Sequence, residues 1–415
     1  QEEKALTPGD SIFFSFYYQP QGWANDPQPG DSLILEFLAI GENDTVYLEA
    51  KPNANPPQEA DTIIREGWRR VWGAGGQELN KFVENNGSHF KQVMIPVTDS
   101  ARYFNKNFRF RFKNFASLAD NSLLSWQSNV DQWNIDYVEL DRNRSNTDTN
   151  HRDIAFVSSA PGFLKNYQSM PYWQYSADFI NEMDNKFEML ISNLDANAHN
   201  ASYKYHVYNS SGSKIKTYDA GSYTINPFYQ DGYLDYQPFS NPGITLPFPL
   251  STDSIKYKVE HVLSTDASLE NRMNDTVRYT QRFYNYYAYD DGTAESGYGL
   301  TPAGARLAYK FELNERDTLT AVKFFFNKTW HNSNEQYFYL TVWNDNNGKP
   351  GDIIYQPDNA ILPDFSDNFN EFVTYEIKEN VVFSSNNAVF YVGWQQTSDE
   401  ILNVGFDYSS NNRDK

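Results

Sequence analysis

The sequence contains no cysteine among its 415 residues. The absence excludes disulfide bonds, zinc sites built on thiolates, a cysteine nucleophile and attachment of a lipid to a cysteine of this chain. Long apolar runs are missing as well, because no stretch approaches the roughly 18 consecutive apolar residues that a membrane-spanning helix needs. The sequence therefore predicts no transmembrane segment and no disulfide-bonded scaffold.

Positive charge is also scarce in this chain. Lys and Arg number 34 against 54 Asp and Glu, which gives a formal net charge of −20 and a pI of about 4.7. An acidic surface repels phosphate backbones and anionic lipid head groups. We therefore expect no nucleic-acid partner and no binding to an anionic membrane surface.

Aromatic residues are abundant, and they favour a sheet-rich fold. They make up 17% of the chain, with 30 Tyr and 30 Phe, while the mean hydropathy is only −0.70. That combination suits half-buried sheets that carry Tyr and Phe on their inner faces and polar residues outside and in the turns. A chain of this length also exceeds one ordinary core, so several domains are expected.

Alternating segments separated by turns divide the chain into three regions. Phe108–Lys113 alternates with the period of a strand, and Pro29-Gly30 and Asn209–Gly212 are turn signals. We predict an all-β fold of tandem β-sandwiches. The domains are a jelly-roll-like sandwich over 1–144, an immunoglobulin-like sandwich over 153–285, and a second jelly-roll-like sandwich over 286–415 that lacks its last strand or two.

The stretch Phe13–Phe37 reads as an aromatic strand, a turn-rich loop and an alternating strand, which predicts the first hairpin of the first sandwich. Within it, YYQPQGWANDPQ resembles the N-terminal motif of the β-fructosidases, in which an Asp matching Asp26 attacks the sugar. Such chemistry needs a second carboxylic acid about 5–5.5 Å away. That family supplies it from a Glu-Cys pair, which a chain without cysteine cannot contain. We therefore favour a structural role for the Asn25-Asp26-Pro27 turn.

Two acids are candidates for a structural calcium site. By strand phase Asp136 is expected to point toward the core together with Val138 and Leu140, where an unpaired carboxylate is costly. Asp131 and loop carbonyls could complete an oxygen site for Ca²⁺. The alternative is that Asp136 accepts hydrogen bonds from a neighbouring strand. Apart from this calcium hypothesis, no cofactor is expected.

Histidines and tryptophans carry weaker signals. The six histidines show none of the spacing that metal sites require. The tryptophans Trp330, Trp343 and Trp394 could form a platform that stacks on sugars. Strands of this composition bury such residues more often, so we predict that they belong to the core.

Several stretches resemble a family of large surface and secreted proteins of Bacteroidota. They include FFSFYYQPQG with GDSLILEF, then FRFRFKNFASL, YDDGTAESGYGL and LTVWNDNNGKPGDIIYQ. The resemblance implies a non-catalytic protein of the extracellular or outer-membrane surface, associated with type 9 secretion and with a protein partner such as an outer-membrane β-barrel complex. The loop at Trp23 departs from the family pattern, so Trp23 is a candidate binding residue.

A recurring Asp-Ser/Thr-aliphatic pattern resembles the O-glycosylation signal of the same phylum. The candidate acceptors are Ser11, Ser32, Thr45, Thr62, Ser100, Ser254, Thr276 and Thr318. The alternative is that this pattern is simply how loops enter strands.

These observations favour a non-enzymatic cell-surface binding protein, either an adhesin-like module or an accessory subunit of an outer-membrane secretion or assembly complex. The alternative is a glycan-binding protein or a glycoside hydrolase that uses Asp26. Because the chain begins with Gln1 rather than Met, we expect a processed form or a fragment.

Overall fold

A computed structural model describes residues 6–21, 26–48, 50, 57, 59–117, 131–149, 151–187, 189–231, 234–235, 255–268, 270–328, 334–368 and 370–409. Strands account for 49% and helices for 8% of the chain that the structure describes, so strands dominate throughout. The predicted all-β class of tandem β-sandwiches is confirmed. None of the helices in these ranges is both long and apolar enough to cross a membrane.

The chain forms two compact units, Gln1–Thr149 and Asn150–Lys415. The first unit opens with a short 3-10 turn at Pro8–Asp10. Its strands are β1 (Phe13–Gln19), β2 (Ser32–Leu48), β3 (Asp61–Gly75), β4 (Lys91–Pro96), β5 (Phe110–Phe115) and β6 (Asn134–Asp141), and its helices are α1 (Leu79–Asn86) and α2 (Ser100–Tyr103).

Two three-stranded sheets build the sandwich of the first unit, one in the order β4-β1-β6 and the other in the order β3-β2-β5. Phe14 and Phe16 of β1 are fully buried. Leu35 of β2 is also fully buried, and Phe37 of β2 is only 1% exposed. The rings of Phe14 and Phe37 meet edge to face with their centroids 5.2 Å apart. Burial of these side chains is the main stabilising term of the unit.

The predicted hairpin across Phe13–Phe37 is wrong. Strand β1 pairs with β4 and β6, whereas β2 pairs with β3 and β5, so the two strands lie in different sheets. Each strand carries one strongly apolar face, and packing the two faces against each other buries both. The intervening segment 20–31 is also longer than the two- to five-residue loops, roughly, that close most hairpins.

Strands β2 and β3 continue beyond the sheet as a two-stranded ribbon, here called the arm (Asn43–Leu48 paired with Asp61–Glu66). The third strand of this sheet, β5, pairs only with Ser32–Phe37 of β2. A bulge separates the arm from the sheet, because the pairing register shifts between Leu38 and Asn43. Four residues of β2 (39–42) lie opposite the single residue Gly67 of β3 at this bulge, and such interruptions bend a strand.

The second unit contains sixteen strands and three short helices among its described residues. The first group is β7 (Ile154–Phe156), β8 (Ser169–Pro171), β9 (Leu190–Asn193), β10 (His199–Tyr208), β11 (Lys214–Ile225), β12 (Leu234–Asp235), β13 (Ile255–Thr265) and β14 (Thr276–Tyr284), with α3 (Tyr172–Ala177), α4 (Phe179–Glu182) and α5 (Phe228–Asp231). The second group is β15 (Ser296–Tyr298), β16 (Arg306–Glu312), β17 (Asp317–Phe324), β18 (Phe338–Asp345), β19 (Pro350–Tyr355), β20 (Val373–Phe383), β21 (Val389–Gln396) and β22 (Val404–Phe406).

The two groups form two sandwiches with separate hydrophobic cores. The middle sandwich joins the sheet β11-β10-β13-β14-β8 to the sheet β12-β9-β7. The C-terminal sandwich contains the sheet β16-β21-β18-β19 and the pairs β17-β20 and β15-β22. Tyr287 and Phe311 pack at the margin of both cores, so these sandwiches share a packed junction. The division of the chain into three domains stays a prediction.

Polar contacts tie the same junction together around Gln174, which is fully buried in α3. Its Nε2 donates to the Glu315 carbonyl (3.1 Å) and to Asp317 Oδ2 (2.8 Å). Its Oε1 accepts from the backbone N–H groups of Asn314 (2.8 Å) and Glu315 (3.0 Å). One side chain therefore uses both ends of its amide to hold the loop that enters β17.

Candidate functional site

One face of the arm exposes apolar side chains to solvent. Tyr47 lies opposite Thr62 and Ile64 lies opposite Thr45 in the register of β2 and β3. Because side chains alternate between the faces of a ribbon, these four side chains share one face. Tyr47 is 78% exposed and Ile64 is 69% exposed, so the aromatic and the aliphatic group lie diagonally adjacent and uncovered.

Ion pairs fasten the base of the arm. Arg69 contacts Glu42 (2.8 Å) and Asp44 (2.7 Å), and Arg102 contacts the other oxygen of Glu42 (2.6 Å). Hydrogen bonds from Arg102 and then from Arg69 hold the pKa of Glu42 below its usual value. Exposed ion pairs contribute little individually, but a two-stranded ribbon is only marginally stable alone. A shared network at its base favours one direction for the arm.

The sequence candidates near the opening loop have different outcomes. Trp23 lies outside the described residues, and its binding role stays a prediction. Asp26 accepts a hydrogen bond from the backbone N–H of Leu79 (3.4 Å), the first residue of α1. Glu78, which precedes that helix, makes no side-chain capping bond, so Asp26 supplies a capping acceptor from a distant loop. Burial, assisted by the charge of Glu78, raises the pKa of Asp26.

Asp131 lies in a buried carboxylate pair with Asp31, and each residue is 1% exposed. The Asp31 carboxylate accepts from the backbone N–H groups of Gln28 and Ser117, both at 2.7 Å. Neither oxygen of Asp131 meets a hydrogen-bond donor at bonding distance in the part of the chain that the structure describes. Burial raises the pKa of Asp131 to about 6, and the charge of Asp31 is the next cause. Such a pair is suited to sharing a proton or to binding a divalent cation.

Asp136 does not point into the core as predicted. Its side chain is exposed, as are Val138 (43%) and Leu140 (45%) on the same strand. Tyr137 has a left-handed φ of 47°, and the pairing of β6 with β1 shifts at this point. The alternation of side chains along β6 is therefore interrupted between Asp136 and Val138, and the face of one does not predict the face of the other. Asp136 Oδ1 accepts from the Tyr137 backbone N–H (2.7 Å). A calcium site at Asp131 stays a hypothesis, with Asp31 rather than Asp136 as the second acid.

Replacing Asp131 with asparagine is expected to stabilise the metal-free protein at pH 7 by about 1–2 kcal/mol. A raised folded-state pKa means that the folded form binds more protons than the unfolded form between about pH 4 and 6. Stability of the wild type therefore falls as the pH rises through that window, and Asp131→Asn removes the fall. Urea unfolding in EDTA at pH 4 and pH 7 measures both quantities. The exposed Asp136→Asn is the matched control, and equal behaviour of the two variants would contradict the prediction.

A groove with a volume of 1060 Å³ lies in the second unit. Trp173, Tyr286 and Tyr309 contribute aromatic rings to its lining. Lys323 Nζ lies over the ring of Tyr286, 5.5 Å from its centre. Aromatic faces beside polar groups are suited to binding sugar rings or extended chains.

Two lining residues of the groove, Asp291 and Asp407, form an acidic cluster with Glu295. One carboxylate oxygen of each residue lies within 4.8 Å of the other two. Thr293 Oγ1 donates to Asp291 (2.6 Å) and contacts Glu295 (2.7 Å). The backbone N–H of Asp291 donates to Asp407 (2.8 Å), and that of Tyr408 donates to Glu295 (2.9 Å). Donors from its own loops therefore reach every carboxylate of this cluster.

The remaining sequence candidates have structural positions. Trp343 and Trp394 are 2% and 3% exposed, which confirms their assignment to the core, and Trp330 lies outside the described residues. Among the glycosylation candidates, the exposed ones are Ser11, Thr45, Thr62, Ser100 and Thr318, the half-buried ones are Ser32 and Thr276, and Ser254 lies outside the described residues. Thr45 and Thr62 share the exposed face of the arm. Glycosylation stays a prediction.

No model of a known protein family matches the chain, and no curated protein matches its sequence significantly. The resemblance to Bacteroidota surface proteins therefore stays a prediction. Sequence reasoning missed the pairing of Asp31 with Asp131 and the cluster of Asp291 with Asp407, because residues about a hundred positions apart leave no local signal.

Proposed function

We propose that this chain is a non-enzymatic binding protein of the extracellular or outer-membrane surface of a Bacteroidota cell, and that the arm contacts its partner. The proposal covers an adhesin-like module and an accessory subunit of an outer-membrane secretion or assembly complex. The observation that carries it is the pair Tyr47 and Ile64, uncovered on a ribbon that extends from the first sandwich.

Physical reasons support binding through this face. Apolar groups exposed to water gain free energy when a partner covers them. Aromatic side chains are enriched among the residues that dominate binding energy at interfaces. The neighbouring Thr45 and Thr62 supply hydroxyl groups on the same face, and the free edges of a ribbon offer backbone donors and acceptors to an added strand.

Replacing both Tyr47 and Ile64 with serine is expected to weaken partner binding at least tenfold, or about 1.4 kcal/mol, because it removes the apolar contact. Pull-down from native membranes identifies the partner, and titration of that purified partner measures the loss. The matched control is the pair Tyr223→Ser and Val382→Ser, which removes another exposed Tyr and another exposed aliphatic residue (51% and 65% exposed). Unchanged binding by the arm variant would refute the proposal.

The same pull-down distinguishes the two forms of the proposal. A stoichiometric outer-membrane β-barrel protein among the captured partners supports the accessory subunit. Recovery of the chain without such a partner, combined with arm-dependent attachment to cells or matrix, supports the adhesin.

Glycan binding is the second candidate, and the groove with Trp173, Tyr286 and Tyr309 favours it. A glycan array with the wild type and Tyr286→Ala tests it. Binding that the variant loses supports the groove as a sugar site, whereas an array without hits and no release of reducing sugar from fructans removes this candidate and hydrolysis by Asp26 together.

A further inference from the structure

The loop that joins β13 to β14 contains three buried polar oxygens that receive no hydrogen bond from the described residues. They are Glu270 Oε2, Asn274 Oδ1 and Asp275 Oδ1. The Glu270 side chain is 0% exposed and Asp275 is 7% exposed. Buried oxygens of this kind are nearly always paired, because losing water without gaining a partner costs free energy. Three such oxygens in one short loop are a feature that a bound cation would satisfy.

Asp153 brings a further carboxylate to the same place. It is 2% exposed, and its Oδ2 accepts a hydrogen bond from Asn274 Nδ2 at 2.7 Å. That bond uses the amide nitrogen of Asn274, and the amide oxygen Oδ1 of the same side chain is one of the three oxygens named above. The Asp153 carbonyl accepts from Leu194 N–H and the Asp275 carbonyl accepts from Leu263 N–H, both at 2.8 Å. The backbone thus holds the two acids beside β7 and β14, which belong to the two different sheets of the middle sandwich.

The protein itself offsets little of this negative charge. Arg272 is the nearby cation, but its side chain is 67% exposed and its Nε lies 3.6 Å from Glu270 Oε1. Thr265 donates to the same oxygen of Glu270. Burial, followed by the charges of Glu270 and Asp153, raises the pKa of Asp275 to about 6. Arg272 and Thr265 both contact one oxygen of Glu270. The charge of Arg272 offsets only part of the rise in the pKa of Asp275.

We propose that Asp153, Glu270, Asn274 and Asp275 bind a calcium ion that links the two sheets of the middle sandwich. Carboxylates and an amide oxygen, without nitrogen or sulfur ligands, form the donor set that hard cations prefer. Ca²⁺ accepts six to eight oxygens at about 2.3–2.6 Å in flexible geometry, whereas Mg²⁺ demands a strict octahedron. Among the described residues, Asp153, Glu270 and Asp275 do not bring one carboxylate oxygen each within 4.8 Å of one another. The proposal therefore requires that ion binding draws the loop 266–275, which has no strand or helix in its described residues, toward Asp153.

Melting of the full-length protein in EDTA and in about 5 mM CaCl₂ tests the site. Calcium is expected to raise the melting temperature of the second unit by about 5–10 °C in the wild type. Asp275→Asn should abolish that shift, and in EDTA it should melt at the wild-type temperature or higher, because it removes an unpaired buried charge. A carboxylate with a purely structural role would instead lower the melting temperature in EDTA, and that result would overturn the proposal.

Counting bound ions by native mass spectrometry locates the effect. The wild type is expected to bind one more Ca²⁺ than Asp275→Asn, and Asp219→Asn, an exposed acid paired with Lys204 (2.7 Å), should bind as many as the wild type. Glu270→Gln replaces Asp275→Asn if the latter does not fold. Equal counts in wild type and variant, or an equal melting shift with MgCl₂, would contradict a calcium site at this loop.

Discussion

Replacing Gln174 with alanine is expected to lower the free energy of unfolding of the second unit by about 4 kcal/mol. The substitution removes the acceptor of the part-buried N–H groups of Asn314 and Glu315 and leaves a cavity where the buried Gln174 side chain packed. Each unsatisfied buried group costs about 1–3 kcal/mol, and the cavity adds to the sum. Urea unfolding followed by near-ultraviolet circular dichroism measures the loss.

The neighbouring residue provides the control for this prediction. Trp173 Nε1 donates to the same Asp317 oxygen (2.6 Å) but is 38% exposed, so Trp173→Phe should cost less than about 1 kcal/mol. Calorimetry should also resolve separate melting of the middle and C-terminal sandwiches in Gln174→Ala. A loss no larger than that of Trp173→Phe would show that the junction depends on the apolar contacts of Tyr287 and Phe311 instead.

Acid is expected to destabilise the middle sandwich through His261. This residue is fully buried, its Nδ1 lies 2.6 Å from the Tyr203 hydroxyl, and its ring packs against that of Phe187 with a centroid distance of 4.8 Å. Burial lowers the pKa of His261 to about 3. Below about pH 6.5 His261 is protonated in the unfolded chain but stays neutral in the folded chain. The free energy of unfolding therefore falls as the pH drops from 6.5 toward 3, by up to about 4 kcal/mol.

His261→Gln keeps an acceptor for Tyr203 and removes the titration, so it should flatten this acid dependence. The carboxyl groups of Asp275 and Asp131 titrate near pH 6 with the opposite sign, and subtraction of the wild-type curve cancels them. The exposed His89→Gln provides the control. Parallel curves for His261→Gln and wild type between pH 6.5 and 4 would show that His261 does not govern acid unfolding.

Local periodicity predicted most strands but not their neighbours. Segments such as Tyr203–Tyr208 and Ile255–Val262 were recognisable because alternating apolar residues mark one buried face. The partner of a strand depends on contacts far apart in sequence, so β1 and β2 were assigned to one hairpin although they lie in facing sheets. Burial of Trp343 and Trp394 followed from the apolar strands that carry them.

The candidate sites were less predictable, for two physical reasons. Strand phase placed Asp136 in the core, but the bulge at Tyr137 interrupts the alternation on which the argument depends. The buried acids come from separate segments, such as Asp153 with Asp275, and only the fold brings them together. The dipeptide Asp-Thr occurs both at the exposed Asp61 and at the buried Asp275. The sequence pattern therefore does not distinguish an Asp in a turn before a strand from the Asp proposed here as a cation ligand.

The arm also changes how the charge of this protein acts on a partner. Its six residue pairs, at about 3.3 Å per residue, extend about 20 Å from the bulge. Mobile ions screen charge over about 8 Å at physiological ionic strength. A partner that covers Tyr47 therefore meets chiefly the charges of the arm itself, which are Asp44, Asp61, Arg65 and Glu66, rather than the net charge of −20 of the whole chain. Association through the arm should show the salt dependence of these few charges.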